Sequence, residues 1–128
     1  MHEEHYCLSQ YTFDKIQEYL ANDWPIIYVG TTSLRTVESF FRNPPKLRKE
    51  NVDTWLSTKL FLYPKHRQDK IVPCVGKAIL TNFHQPESTL TMLIAALMGY
   101  DFWKEIYSYA IDKKYRFFSY GDSSLLIF

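Results

Sequence analysis

The chain contains 128 residues, with 15 Lys plus Arg against 14 Asp plus Glu, so its formal net charge is +1 when His is neutral. Hydrophobic residues make up 46% of the sequence. Since folding at this length removes roughly two thirds of the unfolded surface from water, the composition predicts one folded domain and argues against disorder. The balanced charge argues against binding of nucleic acid by bulk positive charge, while recognition of a nucleic acid by shape stays open.

The amino terminus and the cysteines indicate the compartment. The first residues, MHEEHYCLSQ, carry acidic side chains where a secretory signal is basic, and no apolar run follows them. The longest apolar stretch, residues 90–100, is interrupted by a threonine and a glycine and is shorter than the ~20 residues of a membrane-spanning helix. Cys7 and Cys74 lie far apart and outside any disulfide-rich pattern. We therefore expect a cytoplasmic protein with two free thiols and no membrane partner.

The first third of the chain predicts a helix, a buried strand and a second helix. Ser9, followed by apolar residues at helical spacing, predicts a capped helix that ends near Asn22. Residues 26–29 are a short apolar run of strand-forming residues. After the polar turn at residues 30–33, apolar residues recur at helical spacing up to Phe41, and Asn43-Pro44-Pro45 then stops the helix. Strand, tight turn and helix in succession are typical of α/β proteins.

The middle of the chain has weaker patterns. Residues 46–59 mix charges with a lone Trp55 and predict mostly loop. Residues 59–63 predict a strand, and the charged residues 65–70 predict an excursion at the surface. A further strand is predicted at residues 77–81.

The last third predicts two helices and a returning strand. An apolar helix capped by Ser88 is expected to run to about Met98, to end at Gly99 and to lie in the core. Asp101 is expected to cap a further helix, and residues 115–119 are expected to form a strand. These elements together predict an α/β fold with a mostly parallel sheet of about four strands and flanking helices.

The first candidate site is the polar turn before the second helix. Thr31, Thr32 and Ser33 follow a glycine there, and free backbone amides at a helix N-terminus attract anions while hydroxyls add donors. The turn is therefore either a ligand-binding loop or an ordinary helix cap. Arg35 and Glu38 lie three positions apart on that helix, where they would hold a polar ligand or form a solvated pair.

The second candidate site is residues 82–89, again between a strand and a helix. Ligands of α/β proteins collect at the carboxyl ends of parallel strands, so the two turns would meet at one pocket if their strands are parallel. His84 titrates near neutrality when unperturbed and could exchange a proton with a substrate, or it could serve as a structural hydrogen-bonding group.

Two other patterns are less specific. His2-x-x-His5-x-Cys7 supplies three candidate metal ligands without a fourth, which is a weak metal pattern. Three clusters of Lys and Arg either contact phosphates or form solvated surface: residues 42–49, 65–67 and 113–116.

Three motifs resemble consecutive signatures of one family. They are GTTSLRTVES at residues 30–39, TNFHQPESTLTML at residues 81–93 and YRFFSYGDSSLLI at residues 115–127. In order and spacing they resemble the S-adenosylmethionine:tRNA ribosyltransferase-isomerases of queuosine biosynthesis, and MHEEHY at the start is also similar to a family segment. The resemblance covers only the carboxyl-terminal third of the family enzyme. It implies that residues 1–128 form a single domain, the carboxyl-terminal part of the family's barrel-like α/β domain, without the inserted β-rich domain and the amino-terminal segment.

The resemblance implies a reaction and its partners. The ribosyl moiety of S-adenosylmethionine would be transferred and isomerised onto 7-aminomethyl-7-deazaguanine at the wobble position of a tRNA with a GUN anticodon. Epoxyqueuosine-tRNA would form, with release of adenine and methionine. S-adenosylmethionine would be a consumed substrate, no metal is expected, and a second polypeptide would supply the missing family segments. The alternatives are a noncatalytic, tRNA-binding remnant of that enzyme and an unrelated module that binds a small ligand.

The resemblance also carries the candidate residues. It favours His84 as the residue that transfers a proton. The substrate-binding residues that it implies are Thr31, Thr32, Ser33, Arg35, Glu38, Asn82, Ser88, Thr89, Arg116, Tyr120 and Asp122. Arg35 or Arg116 would clamp a phosphate or a carboxylate. This interpretation requires that the turns at Thr31 and His84 open side by side into a shared cavity.

Overall fold

Residues 2–128, the part of the chain that the computed structural model describes, form five helices and five short strands. In chain order they are β1 (Glu4–Tyr6), α1 (Gln10–Ala21), β2 (Ile27–Val29), α2 (Thr31–Phe41), α3 (Pro45–Asn51), β3 (Leu56–Thr58), β4 (Ala78–Asn82), α4 (Thr89–Met98), α5 (Tyr100–Asp112) and β5 (Ser123–Ile127).

The strands form two small sheets. One has the order β2-β4-β5, in which β2 runs parallel to β4 and β5 runs antiparallel to it. The other pairs β1 with β3 in antiparallel fashion. The α/β class is confirmed, but the expected mostly parallel, barrel-like sheet of about four strands is wrong, since the described residues contain one parallel pair and form no barrel.

The antiparallel direction of β5 follows from the connection that precedes it. Between β2 and β4 the chain passes through α2, α3 and β3 and returns to the end of the sheet at which β2 began, so β2 and β4 form a parallel pair. Two helices, α4 and α5, lie between β4 and β5 and pack against each other. The second helix brings the chain back to the end of β4, so Ser123 pairs with Asn82 and β5 runs in reverse.

Two helix caps are confirmed. The Ser9 hydroxyl accepts a hydrogen bond from the Thr12 backbone N–H at 3.2 Å, and the Ser88 hydroxyl accepts one from the Thr91 N–H at 3.2 Å. Helix α4 ends at Gly99 as expected. The cap predicted at Asp101 is wrong, because α5 already begins after Gly99.

Three predictions for irregular and strand segments are wrong. Residues 46–59 are not mostly loop, because they contain most of α3, which begins at Pro45, and all of β3. Proline is favourable at the first position of a helix because its missing N–H would be unpaired there. Residues 59–63 and 115–119 are not strands. Strand β3 pairs with β1 across a distance in sequence that no local pattern reveals.

One hydrophobic core connects the elements. The central position of α4 is confirmed, since Ile94, Ala96 and Leu97 have no exposed surface. Phe40 packs at the other side of the core in an aromatic group with Phe13 and Phe41. Both cysteines are free. Within residues 2–128, no helix combines the length and the apolar character needed to cross a bilayer.

Candidate functional site

The two candidate turns lie at the same edge of the three-stranded sheet. Because β2 and β4 are parallel neighbours, their carboxyl ends meet there, and the Gly30 N–H donates to the Leu80 carbonyl at 2.9 Å. Helix α2 begins at Thr31, one residue beyond the end of β2, and α4 begins at Thr89, after the turn at residues 83–88 that follows β4. The fold therefore places the start of two helices beside each other, where a ligand of an α/β protein would be expected.

Two adjoining cavities open at this edge. The larger, here called the His84 cavity, has a volume of about 340 Å³ and is lined by Asn82, His84, Gln85, Ser88, Leu90, Phe118 and Ser119. The smaller, here called the Thr31 cavity, has a volume of about 130 Å³ and is lined by His2, Glu4, Thr31, Thr32, Arg35, Thr89 and Leu90. Leu90 lines both cavities. The two turns are thus neighbours, but they open into two cavities rather than one.

His84 is half-buried at the wall of the larger cavity. Its Nε2 lies 3.0 Å from the Thr81 hydroxyl oxygen, and its backbone N–H donates to the Tyr107 hydroxyl at 3.1 Å. Burial lowers the pKa of His84 below its ordinary value, so the ring is neutral at neutral pH. In the tautomer in which Nε2 donates to Thr81, Nδ1 is left as a proton acceptor.

The Thr31 cavity lies at the start of α2 and is lined by both members of the Arg35–Glu4 ion pair. Gly30 precedes α2 with φ 84° and ψ 155°, a conformation that only glycine adopts readily, and it offers no side-chain cap to the first amides of the helix. Thr31 and Thr32 line the cavity, whereas Ser33 is exposed and lines neither cavity. Neither α2 nor α4 has an acidic residue in its first turn, so Glu4 is the carboxylate that lines the cavity at the positive ends of the two helix dipoles.

Arg35 fastens the amino-terminal segment across this cavity. The residue is only 4% exposed. Its guanidinium forms an ion pair with Glu4 and donates to the carbonyl oxygens of His2 and Leu60, each at 3.2 Å. Arg35 is therefore a cation at the cavity wall whose position is set by protein contacts, and it does not form the solvated pair with Glu38.

Glu38 lies in the core and lines neither cavity. Its carboxylate accepts hydrogen bonds from the Tyr28 hydroxyl at 2.5 Å and from the backbone N–H groups of Cys74 and Val75 at 2.9 and 3.2 Å. Arg42 lies 3.3 Å from it as an ion-pair partner. Burial, followed by the neighbouring carboxylate, raises the pKa of Tyr28 far above its usual value. Through these contacts Glu38 holds the chain around residue 75 against α2.

Asn82 holds the loop that forms one wall of the His84 cavity. Its amide nitrogen donates to the carbonyl oxygens of Phe118 and Ser119 at 3.2 and 3.0 Å, and its amide oxygen accepts from the Ser123 hydroxyl at 2.6 Å. Phe118 and Ser119 also line this cavity, although no pattern in the sequence marks them as site residues. The only signal for a closed loop is Gly121, where a Cβ atom would lie 2.6 Å from the Arg116 carbonyl oxygen.

Arg116, Tyr120 and Asp122 belong to this loop but line neither cavity. The Asp122 carboxylate accepts from the Arg116 backbone N–H at 2.7 Å and from its guanidinium at 3.3 Å. The backbone hydrogen bond is the main reason why the pKa of Asp122 lies below its usual value. Tyr120 is 97% exposed.

The histidine and cysteine pattern near the amino terminus does not form a cluster. Among residues 2–128, no group of three or more His, Cys, Asp or Glu side chains is arranged to hold a metal ion.

Comparison with known proteins identifies the chain's relatives. The family described as queuosine biosynthesis protein matches residues 1–126. The S-adenosylmethionine:tRNA ribosyltransferase-isomerase of Sulfurimonas denitrificans is 43% identical over 127 residues, which are 99% of this chain and 32% of that protein. The protein of the same name from Thermotoga petrophila is 42% identical, over 99% of this chain and 35% of its own length.

A solved structure has the same fold. The crystal structure of S-adenosylmethionine tRNA ribosyltransferase from Thermotoga maritima superposes with a TM-score of 0.83 and 38% identity, over 96% of this chain and 40% of that one. This chain spans about a third of the length of the curated relatives that it matches. Because the family match covers nearly all of its residues, the chain belongs to the family of queuosine biosynthesis proteins.

Proposed function

We propose that the chain carries part of the active site of an S-adenosylmethionine:tRNA ribosyltransferase-isomerase. The proposed reaction transfers and isomerises the ribosyl moiety of S-adenosylmethionine onto 7-aminomethyl-7-deazaguanine at the wobble position of a tRNA with a GUN anticodon, and it takes place in the cytoplasm. The observation that carries this proposal is the neutral His84 in a cavity that adjoins the hydroxyl-lined Thr31 cavity, within a chain of this family.

His84 is proposed to transfer a proton. The sulfonium of S-adenosylmethionine acidifies the adjacent C5′, so a base that removes this proton can start the expulsion of adenine, which takes up a proton as it leaves. The exocyclic amine of the tRNA base then attacks the sugar, and closure of the epoxide expels methionine. A histidine whose pKa is lowered by burial is in the basic form at neutral pH, as the first step requires. S-adenosylmethionine is consumed as a substrate, and the path as written uses no metal.

The Thr31 cavity is proposed to hold the polar part of S-adenosylmethionine. The hydroxyls of Thr31, Thr32 and Thr89 line this cavity together with the guanidinium of Arg35. Hydroxyls suit ribose oxygens, while a guanidinium and two helix N-termini suit a carboxylate. Ser88, the cap of α4, lines the neighbouring His84 cavity and would fix the relative position of the two substrate parts.

The remaining segments of the family enzyme are proposed to complete the site, as a second polypeptide or as further chain. An apolar surface supports this: the face of the three-stranded sheet that points away from Tyr28 and Ile79 carries exposed side chains. This outer sheet face consists of Ile27, Val29, Leu80, Leu125 and Ile127, each between 39% and 69% exposed. The register aligns Val29, Leu80 and Leu125 in one row across the sheet. An apolar face of this kind marks a surface that another element covers.

The test is adenine release. The chain is expressed alone and together with a polypeptide that supplies the missing family segments, and S-adenosylmethionine is added with a tRNA that carries the precursor base. We expect release in the presence of the second polypeptide. His84→Ala should lower turnover by roughly a hundredfold or more, the usual contribution of acid–base catalysis, and should change the affinity for tRNA far less. Equal turnover in the wild type and His84→Ala would remove His84 from the mechanism.

A noncatalytic, tRNA-binding remnant is the second candidate function. It is favoured by the position of Arg116 and Tyr120, which are exposed and lie outside both cavities. The two functions differ in their small ligand. Calorimetric titration with S-adenosylmethionine in the presence of the second polypeptide should give binding for the enzyme, whereas a remnant should bind the anticodon stem-loop alone.

A further inference from the structure

The loop at residues 115–122, here called the aromatic loop, exposes large rings beside the His84 cavity. Tyr120 is 97% exposed and Phe118 is 60% exposed. Phe118 also lines the His84 cavity. Exposed rings of this size, close together in one turn, are typical of a binding surface, because folding ordinarily removes aromatic surface from water.

The backbone of the aromatic loop is held in one conformation from several sides. The Asp122 carboxylate accepts from the Arg116 N–H at 2.7 Å, and the Gly121 N–H donates to the Phe118 carbonyl at 2.9 Å. The Phe118 N–H donates to the Phe83 carbonyl at 3.0 Å, and Asn82 contacts the carbonyls of the turn. The rings are therefore presented by a fixed backbone rather than by a free loop.

Phe118 adopts a strained conformation. Its φ of 70° lies in the left-handed region, which residues with a bulky side chain rarely adopt. Backbone strain of this kind persists only where the surroundings enforce it, and it is frequent at binding sites. Here it leaves the ring at the opening of the His84 cavity instead of in the core.

Cationic side chains flank the rings. Lys113 and Lys114 directly precede the loop, and the Arg116 side chain is 75% exposed. The one carboxylate within the loop, Asp122, already accepts two hydrogen bonds from Arg116. Exposed rings that are flanked by exposed cationic side chains match the chemistry of unpaired nucleotides, since bases stack on aromatic rings and phosphates meet Lys and Arg.

We propose that the aromatic loop binds unpaired nucleotides of the RNA substrate next to the His84 cavity, with Phe118 and Tyr120 stacking on bases and Arg116 contacting a phosphate. The inference rests on the proposed function, which makes tRNA the substrate, and adds the surface of the chain that binds this RNA. Asn82 and Asp122 are positioning residues in this arrangement, because they hold the loop and not the nucleotide.

The experiment measures RNA affinity of the 128-residue chain by fluorescence anisotropy. The labelled probes are an RNA hairpin with the anticodon loop of a GUN-anticodon tRNA and a fully paired hairpin of equal length. Tyr120→Ala and Phe118→Ala should each weaken binding of the looped hairpin by about fivefold or more, whereas Tyr120→Trp and Phe118→Tyr should retain it. Tyr11→Ala is the matched control, since Tyr11 is 73% exposed on α1 and should leave the affinity unchanged.

Salt dependence tests the role of Arg116. Arg116→Ala should reduce the slope of log affinity against log salt by about 0.7, the value for one phosphate contact on a single strand. Circular dichroism of each variant checks that the fold is retained.

Four results would overturn the inference. They are absence of binding by the wild type, equal affinity for the paired hairpin, unchanged affinity in both alanine variants, and loss of association with the second polypeptide without a change in RNA affinity. The last result would assign the loop to a protein contact. Adenine release reports separately on the proposed function. If adenine is released but the alanine variants bind RNA as tightly as the wild type, only the proposed RNA-binding surface is overturned. If RNA binding depends on the rings but no adenine is released, only the proposed enzymatic function is overturned.

Discussion

At the scale of single residues, Glu38 and His84 differ in what surrounds their titratable groups. Four protein groups surround the carboxylate of Glu38, whose side chain has no exposed surface. His84 is half-buried, with one ring nitrogen against Thr81 and the ring at the wall of a cavity. The buried contacts give Glu38 a structural role, whereas the position of His84 at a cavity wall supports the proton transfer that we propose for it.

Glu38→Ala should destabilise the chain strongly. The substitution leaves the Tyr28 hydroxyl and two backbone N–H groups without their acceptor in the core, and each unpaired buried group costs about 1–3 kcal/mol. We expect the free energy of unfolding to fall by about 3 kcal/mol or more in urea denaturation. Glu18→Ala, which removes a partner of the exposed Lys15, is the control and should change little. A loss no larger than that of the control would refute the structural role.

His84 should make the stability depend on pH. Burial lowers its pKa in the folded state below the ordinary 6.5 of the unfolded chain. As the pH falls, the unfolded state therefore takes up a proton on His84 before the folded state does. The contribution of neutral His84 to the free energy of unfolding is present above about pH 6.5 and is lost as the pH falls toward the pKa of the folded state. Urea denaturation between about pH 7.5 and 5 should show a smaller loss in His84→Gln than in the wild type. His66→Gln, at an exposed position, is the control, and equal pH profiles for all three proteins would contradict the expectation.

At the scale of elements, the site is made by the starts of α2 and α4. The parallel pairing of β2 and β4 brings these starts to one sheet edge. The two helices begin differently, since Gly30 provides a backbone turn without a cap while Ser88 caps α4 with its hydroxyl. Free amides at α2 favour a bound anion, whereas the cap at α4 favours a fixed cavity wall.

Ser88→Ala and Ser9→Ala should have equal effects on stability and different effects on the site. Each removes an N-cap hydroxyl that accepts from the third residue of its helix at 3.2 Å, which costs about 1 kcal/mol. Only Ser88 lines the His84 cavity, so only Ser88→Ala should also reduce adenine release in the completed enzyme. Thermal unfolding and the release assay measure the two effects, and an equal loss of activity in Ser9→Ala would show that stability alone is responsible.

At the scale of the whole molecule, the three-stranded sheet is buried on one face and exposed on the other. Tyr28, Ile79 and Leu126 point to the core, while the residues of the outer sheet face between them are exposed. The edges β2 and β5 also have unpaired backbone on their outer sides within this sheet. Apolar surface next to open strand edges favours association with another element.

Replacement of two residues of the outer sheet face by threonine should reduce this association. Val29 and Ile127 are 67% and 69% exposed on the edge strands, so Val29→Thr with Ile127→Thr should change the free energy of unfolding by less than about 1 kcal/mol. We expect the double variant to associate less with itself and with the second polypeptide in sedimentation velocity. Leu126→Thr on the core face should instead destabilise the chain by about 2 kcal/mol or more. Sedimentation identical to the wild type would exclude the outer sheet face as the contact.

Local patterns were sufficient for the helices α1 and α4, for the strand before the Thr31 turn, and for the motifs that resemble the family. The hydrophobic spacing and the capping serines of these segments depend only on neighbouring residues. The pairing of β1 with β3, the reversed direction of β5, the burial of Glu38 and the place of Phe118 beside His84 came from the folded molecule alone. Each of these depends on contacts between segments far apart in the chain, and a local pattern of apolar and polar residues does not contain the partner that each segment finds.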